Sequence, residues 1–231
     1  MFKTCGIQVR IEGRTHEQFM DHWINVHAAK SEGVGPEQGL YGYVSNEAVG
    51  FITPDDLPKL EILDEVDGIA QMWFDQIDGL QALAQYPAVQ AWFSDGPNYC
   101  GNRVGLTLEE NVIKNPGAAP RAFDKVFMFL QLKDENGFAE LDKAVRALPE
   151  MPYVTGLCVS RVAAANASVN LPAFEAPRID VVVEMWCLNT TSFKRAMASE
   201  EGKAFMDTLA AHYNKISMLQ TREIVVKTPV C

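Results

Sequence analysis

The sequence predicts an α+β chain of two successive β-α-β-β-α-β units whose sheets pack together as one pseudo-dimeric α/β barrel. Three observations lead there. Strand-like and helix-like periodicities follow one another in that order twice, a Pro/Gly-rich joint, NPGAAPRA at 115–122, separates the two runs, and short pieces of the second run repeat the first at near-constant offsets. The split order is that of a ferredoxin-like domain, so the units are placed at 1–116 and 122–231.

Each element has a local reason. Residues 2–11 end in partial alternation before Glu12-Gly13 and read as a strand closed by a turn. Thr15 and Gln18 form a capping box that starts a helix running to about Lys30. After SEGVGPEQG comes the strand LYGYVSNEAV, then the Pro- and acid-rich loop FITPDDLPKLEILDEVDG. DGIAQMWFD is a third strand, GLQALAQYPAVQAWFSD a pair of short helices interrupted before Pro87, and RVGLTLEENVI a fourth strand. In the second run KVFMFLQLK, YVTGLCVSRV, IDVVVEMWCL and REIVVK are strands, and GFAELDKAVRAL and SFKRAMASEEGKAFMDTLAAHY are helical. ASVNLPAFEAPR is a Pro-containing loop.

The offsets are explicit. Asp67 and Asp180, Met72 and Met185, and Trp73 and Trp186 each lie 113 apart. In the first strands Gln8-Val9-Arg10 aligns with Gln131-Leu132-Lys133 at 123, so the second run has lost about ten residues in between. A four-stranded sheet with both helices on one face leaves its other face uncovered, and packing two such sheets together buries both.

Composition narrows the function. Hydrophobic residues at 48% and charged ones at 22% suit a folded globular protein. A net charge of -10 and a pI near 4.9, without a Lys/Arg cluster, argue against nucleic acid or anionic membrane as partner. Five scattered cysteines lack metal-ligand spacing and read as free thiols in a reducing compartment. With no apolar h-region in MFKTCGIQVRIEG and no long apolar window, a cytoplasmic location is expected. No GxGxxG, Walker loop, GxSxG or HExxH is present, so no organic cofactor is called for.

Two of the four histidines fall in FMDHWINVHAAK. By 3-4 spacing Phe19, Trp23 and Val26 make the apolar stripe of that helix, with His22, His27 and Lys30 on it or at its margin. Either a polar cavity lies between helix and sheet, or the histidines hydrogen-bond into a sealed core. A metal is not expected, since i,i+5 is not the spacing at which an α-helix presents two histidine ligands. Tyr41 and Tyr43 share a face of the second strand and could reach a ligand oxygen, or simply pack. Asp95 in FSDGPNYC could orient a histidine or belong to an ordinary turn. Trp73 and Phe74 straddle the third strand. Glu184, at the place of Gln71 by the 113 offset, is either a buried base or a residue on the solvent side.

The run Phe19-x3-Trp23-x3-His27-Ala28-x-Lys30, then Tyr43-Val44-Ser45-Asn46, then Asp67-Gly68-Ile69-Ala70-x-Met72-Trp73-Phe74 and finally Asp95, resembles the EthD family of the dimeric α/β-barrel superfamily. The second half is similar only in DVVVEMW: eight residues beyond Phe138 stands Arg146, not a histidine, and no HAxK-like run survives. The first half itself has Ala29 where the family often has Pro-Leu. The resemblance implies a site in the first half at His27 with Tyr43, supported by His22 and Asp95, with Trp23, Tyr41, Lys30 and Trp73 against the substrate. It also implies a cofactor-independent lyase or isomerase that moves a proton on a small aromatic or enolisable carbonyl compound. The alternatives are a noncatalytic small-molecule binding protein and a cofactorless oxygenase acting on a quinol. Whether two fused chains associate into a homodimer is left open.

Overall fold

The computed structural model describes residues 1–60, 65–117, 124–148, 153–166 and 177–229. Most of the loop ASVNLPAFEAPR, and much of the 115–122 joint, lie outside them. The first unit runs β1 (Phe2–Arg10), α1 (His16–Asp21), β2 (Gly42–Phe51), β3 (Gly68–Phe74), α2 (Gly79–Leu83), α3 (Pro87–Phe93) and β4 (Cys100–Lys114). The second runs β5 (Asp124–Leu132), α4 (Asn136–Ala147), β6 (Val154–Asn166), β7 (Val181–Cys187), α5 (Thr190–Ala198), α6 (Glu200–His212) and β8 (Tyr213–Lys227). The strands close into an antiparallel barrel of order β1-β3-β2-β8-β5-β7-β6-β4, so β2 joins β8 and β4 joins β6. Each half contributes the ferredoxin-like sheet order, and among the described strands closure of the barrel leaves no free sheet edge. Among the described residues no helix is long and apolar enough to cross a membrane.

Three expectations need correction. The second half's long helix is two, because Ser199 turns to an extended backbone and caps the next helix through Gly202 N–H at 3.1 Å. The final strand begins at Tyr213, well before REIVVK. The first strands align at 122, not 123: Gln8 pairs with Gly68 and Leu130 with Val181, and Gly68 and Val181 are themselves 113 apart. The same equivalence recurs in hydrogen bonds. Asp67 accepts from Arg10 N–H at 2.7 Å, and Asp180 from Leu132 N–H at 2.9 Å. A one-residue slip would have exchanged the two faces of the strand.

Strand alternation divides the side chains into an interior and two outer layers. Val126, Met128, Leu130, Val183 and Met185 face α4 to α6, while Ala70, Met72 and Phe74 face the helices of the first half. Cys5, Ile7, Ile69, Leu106, Leu108, Phe127, Phe129 and Val182 fill the barrel. The interior is not wholly apolar. Glu184, fully buried, pairs with Lys3 and, at 2.7 Å, with Lys125, and accepts from Gln71 at 3.0 Å. Lys3 also meets Glu110 at 2.7 Å and Lys125 meets Glu223 at 3.2 Å, and the indoles of Trp73 and Trp186 donate to those same two carboxylates. Burial opposes ionisation of Glu184, but the two ammonium groups outweigh it and hold the carboxyl at about 2. Glu184 is thus neither a solvent-side residue nor a base open to substrate. Glu110, Cys158 and Glu184 form a cluster of metal-type ligands, and the ammonium of Lys3 sits within reach of all three.

Candidate active site

Thr15 and Gln18 make both bonds of the expected capping box, at 3.2 and 3.0 Å, and launch the helix that carries the histidines. That helix does not stay α. From His22 to His27 it widens into a π-turn, in which Ala28 N–H donates to Trp23 O five residues back, and Ala28–Ser31 then tighten into a 3₁₀ turn. In an α-helix residues five apart differ by about 140° around the axis. The π-turn brings them to the same side. His22 Nε2 and His27 Nδ1 therefore reach one oxygen, Asp95 Oδ2, at 3.1 and 3.2 Å. The i,i+5 spacing is not that of an α-helical ligand pair, yet the π-turn converges the two histidines on one carboxylate.

Asp95 comes from the turn between α3 and β4. Its Oδ1 accepts from Lys30 Nζ and, at 3.0 Å, from Asn98 Nδ2, so Asp-Gly-Pro is a turn and an anchor at once. Burial would raise its pKa, but the donors from Lys30, Asn98 and His22 prevail and hold the carboxyl well below the usual range. The ionised carboxylate only accepts. His27 Nδ1 must then carry the hydrogen, and Nε2 the lone pair. Burial drives the His27 pKa down to about 4, with Asp95 partly opposing and Arg103 and Lys30 adding to the fall. At neutral pH the ring is an uncharged base in a fixed tautomer.

His27 lines a tight cavity of about 30 Å³, room for roughly one water. Around it stand Tyr43, Trp92, Tyr99, Met72, Gln8 and Arg103. Tyr99 stacks on His22, with ring centroids 5.4 Å apart, and tilts against His27 at 4.9 Å; Trp92 lies 5.6 Å from His27. Tyr43 accepts from Trp23 Nε1 at 2.8 Å, which orients the phenol, and burial raises its pKa so that it stays protonated. A neutral base and a phenol donor thus share one small space.

The structure brings together His27 and Tyr43 at the cavity, with His22, Asp95 and Lys30 behind His27 and Trp23 behind Tyr43. Trp73 is elsewhere: an odd position on β3, it faces the barrel interior and donates to Glu110 at 3.1 Å. Tyr41 precedes β2 and is not among the cavity residues. Sequence reading missed Trp92, Tyr99, Gln8 and Arg103. Tyr99 lay four residues beyond Asp95 in a motif already singled out, whereas Arg103 and Gln8 become neighbours only through the pairing of β1 with β4.

The family model described as the EthD domain matches residues 11–102. The matched stretch contains the π-turn, Tyr43 and Asp95, so every side chain of the histidine cluster lies in the part of the chain that is similar to the EthD domain. No curated protein sequence matches the chain. Solved structures do match in shape over nearly the whole chain. A candidate monooxygenase from Fusobacterium nucleatum has a TM-score of 0.65 at 11% identity, covering 98% of this chain and 92% of that one. One from Lactobacillus acidophilus has a TM-score of 0.61 at 9% identity, covering 98% and 95%. An anthrone oxidase-like protein has a TM-score of 0.60 at 8% identity, covering 100% and 95%. At such identities the likeness is one of fold, the closed barrel that the two halves of the chain build together.

Proposed function

We propose that this protein is a cofactor-independent lyase or isomerase in which His27 removes a proton from a small aromatic or enolisable carbonyl compound. The observation that carries the reading is the His27–Asp95 pair: Nδ1 is committed to a buried carboxylate, and Nε2 is left as a base in the cavity wall. A base at about 4 is weak in the empty site. Its strength rises as the proton arrives, because Asp95 stabilises the imidazolium and the enolate or phenolate formed opposite is a second anion nearby. The Tyr43 phenol can donate to that developing oxygen anion. His22 and Asp95 are positioning residues, the half spanning 1–116 carries the chemistry, and 122–231 serves as scaffold.

A second reading shares the first step. Structural neighbours described as monooxygenases and as anthrone oxidase-like make reaction of the resulting carbanion or phenolate with dioxygen the natural alternative. Turnover of a panel of aromatic acids and quinols by wild type and His27→Asn, in air and without oxygen, tests both. The proposal expects conversion that persists without oxygen and falls by about 10²–10⁴ in His27→Asn. Conversion that requires oxygen supports the second reading, and activity unchanged in His27→Asn removes His27 from either.

A further inference from the structure

We propose that the Trp92 indole and the Gln8 amide choose the substrate: Trp92 Nε1–H donates to its carbonyl oxygen, and Gln8 Oε1 accepts from its hydroxyl. The compound selected is an uncharged hydroxylated carbonyl compound. This deepens the base reading above and rests on it for the identity of the site.

The first observation is a contrast among the four tryptophans. Trp23 Nε1 donates to Tyr43 at 2.8 Å, Trp73 to Glu110 at 3.1 Å and Trp186 to Glu223 at 2.9 Å. Trp92, on the last turn of α3, is 1% exposed, and its Nε1 has no partner. An indole N–H can only donate, and a buried one normally finds an acceptor. Trp92 lines the cavity beside His27, so an acceptor brought by a ligand can supply what the fold does not.

The second observation is the complementary group on the sheet. Gln8 is 4% exposed, lines the same cavity, and its Oε1 is likewise without a donor. Cys5 and Ile7 point into the barrel, so alternation turns Gln8 toward the helices. Its neighbour on β3 is Gly68, which offers no side chain. Arg103, its neighbour on β4, is engaged in an interaction of its own.

The third observation is placement. The Trp92 ring lies 5.6 Å from that of His27 and 5.4 Å from that of Tyr43, between the base and the phenol. A compound whose proton faces His27 and whose developing oxygen anion faces Tyr43 therefore rests against the indole. One lone donor and one lone acceptor match a ligand carrying a carbonyl and a hydroxyl. Buried polar groups that an analogue would leave unpaired discriminate strongly against it.

Binding of 3′-hydroxyacetophenone, acetophenone and 3-ethylphenol, with the corresponding 4-substituted isomers, is measured by calorimetry at pH 7 on wild type, Trp92→Phe, Gln8→Met and His27→Asn. Wild type should bind one hydroxyacetophenone about tenfold or more tighter than acetophenone or the ethylphenol. Trp92→Phe should weaken the two ketones about tenfold and leave the ethylphenol alone, whereas Gln8→Met should weaken the two phenols and leave acetophenone alone. This crossed pattern carries its own control, because each variant must keep one probe bound as tightly as wild type. Should Trp92→Phe fail to fold, the Gln8→Met arm decides. Equal binding of the three kinds of probe, a uniform loss across all of them in the variant that decides, or no binding at millimolar concentration overturns the proposal. His27→Asn should keep the wild-type preference. Lost turnover in His27→Asn without the crossed pattern would sink the two contacts and leave the base reading standing, while the crossed pattern with full His27→Asn activity would do the reverse.

Discussion

His27 links stability to pH in a direction set by its burial. An unfolded histidine takes up a proton near 6.5, and the folded one only near 4. Between those values the unfolded state binds more protons, so stability falls as pH drops through that window and is fully present above it. The two and a half units correspond to about 3 kcal/mol. Chemical denaturation of wild type and His27→Asn at pH 7 and pH 4.5 should show most of that extra loss in wild type only; parallel losses would mean that the imidazole is not held neutral. His27 was legible from its spacing within FMDHWINVHAAK, and Tyr43 and Asp95 through the EthD-like pattern, each beside an ordinary packing or turn alternative. Arg103, Trp92 and Gln8 were not. Their types are unremarkable on strands and helices, and only the β1–β4 register puts the arginine over Gly6.

The element that decides the site is the π-turn His22–His27. Such turns are rare and less favourable than the α-helix, and they tend to occur where an extra residue serves a site. Here the extra residue brings two histidines to one carboxylate. Nothing in HWINVH announces it, since the 3-4 periodicity of Phe19, Trp23 and Val26 describes an ordinary helix and leaves Val26 exposed in fact. The helix was readable, and its winding was not. Asn25, exposed and with its side chain bonded to Asp21 at 2.8 Å, is the residue the turn can lose. Deleting it should let the segment relax to α with the two histidines at four-residue spacing, again on one side. Thermal unfolding should then be unchanged or shifted upward and His27 should stay neutral at pH 7. A fall in Tm of more than about 5 °C would show that the π geometry is itself required for packing.

At the scale of the whole molecule the two halves meet in a barrel whose centre is charged. The apolar packing of two sheets expected from sequence is real around Ile7, Phe127 and Phe129, but Lys3, Lys125, Glu184 and their partners occupy the same interior. The single lysine near the start of β1 and of β5 looks like a solvent-facing position until closure of the barrel buries it. Glu184→Gln makes the second half match Gln71 and leaves two buried lysines without their shared counter-ion. It should lower stability by about 3 kcal/mol in urea denaturation, while leaving turnover at the distant His27 within about twofold; a large rate loss at intact folding would show that the second half contributes to the chemistry. The proposed chemistry depends on one side chain's protonation. Nitrogen NMR of the ring of His27 at pH 7 reads it directly, and should find Nδ1 protonated, Nε2 bare and a titration midpoint near 4. A charged ring at that pH, or a proton on Nε2, would contradict the base assigned here.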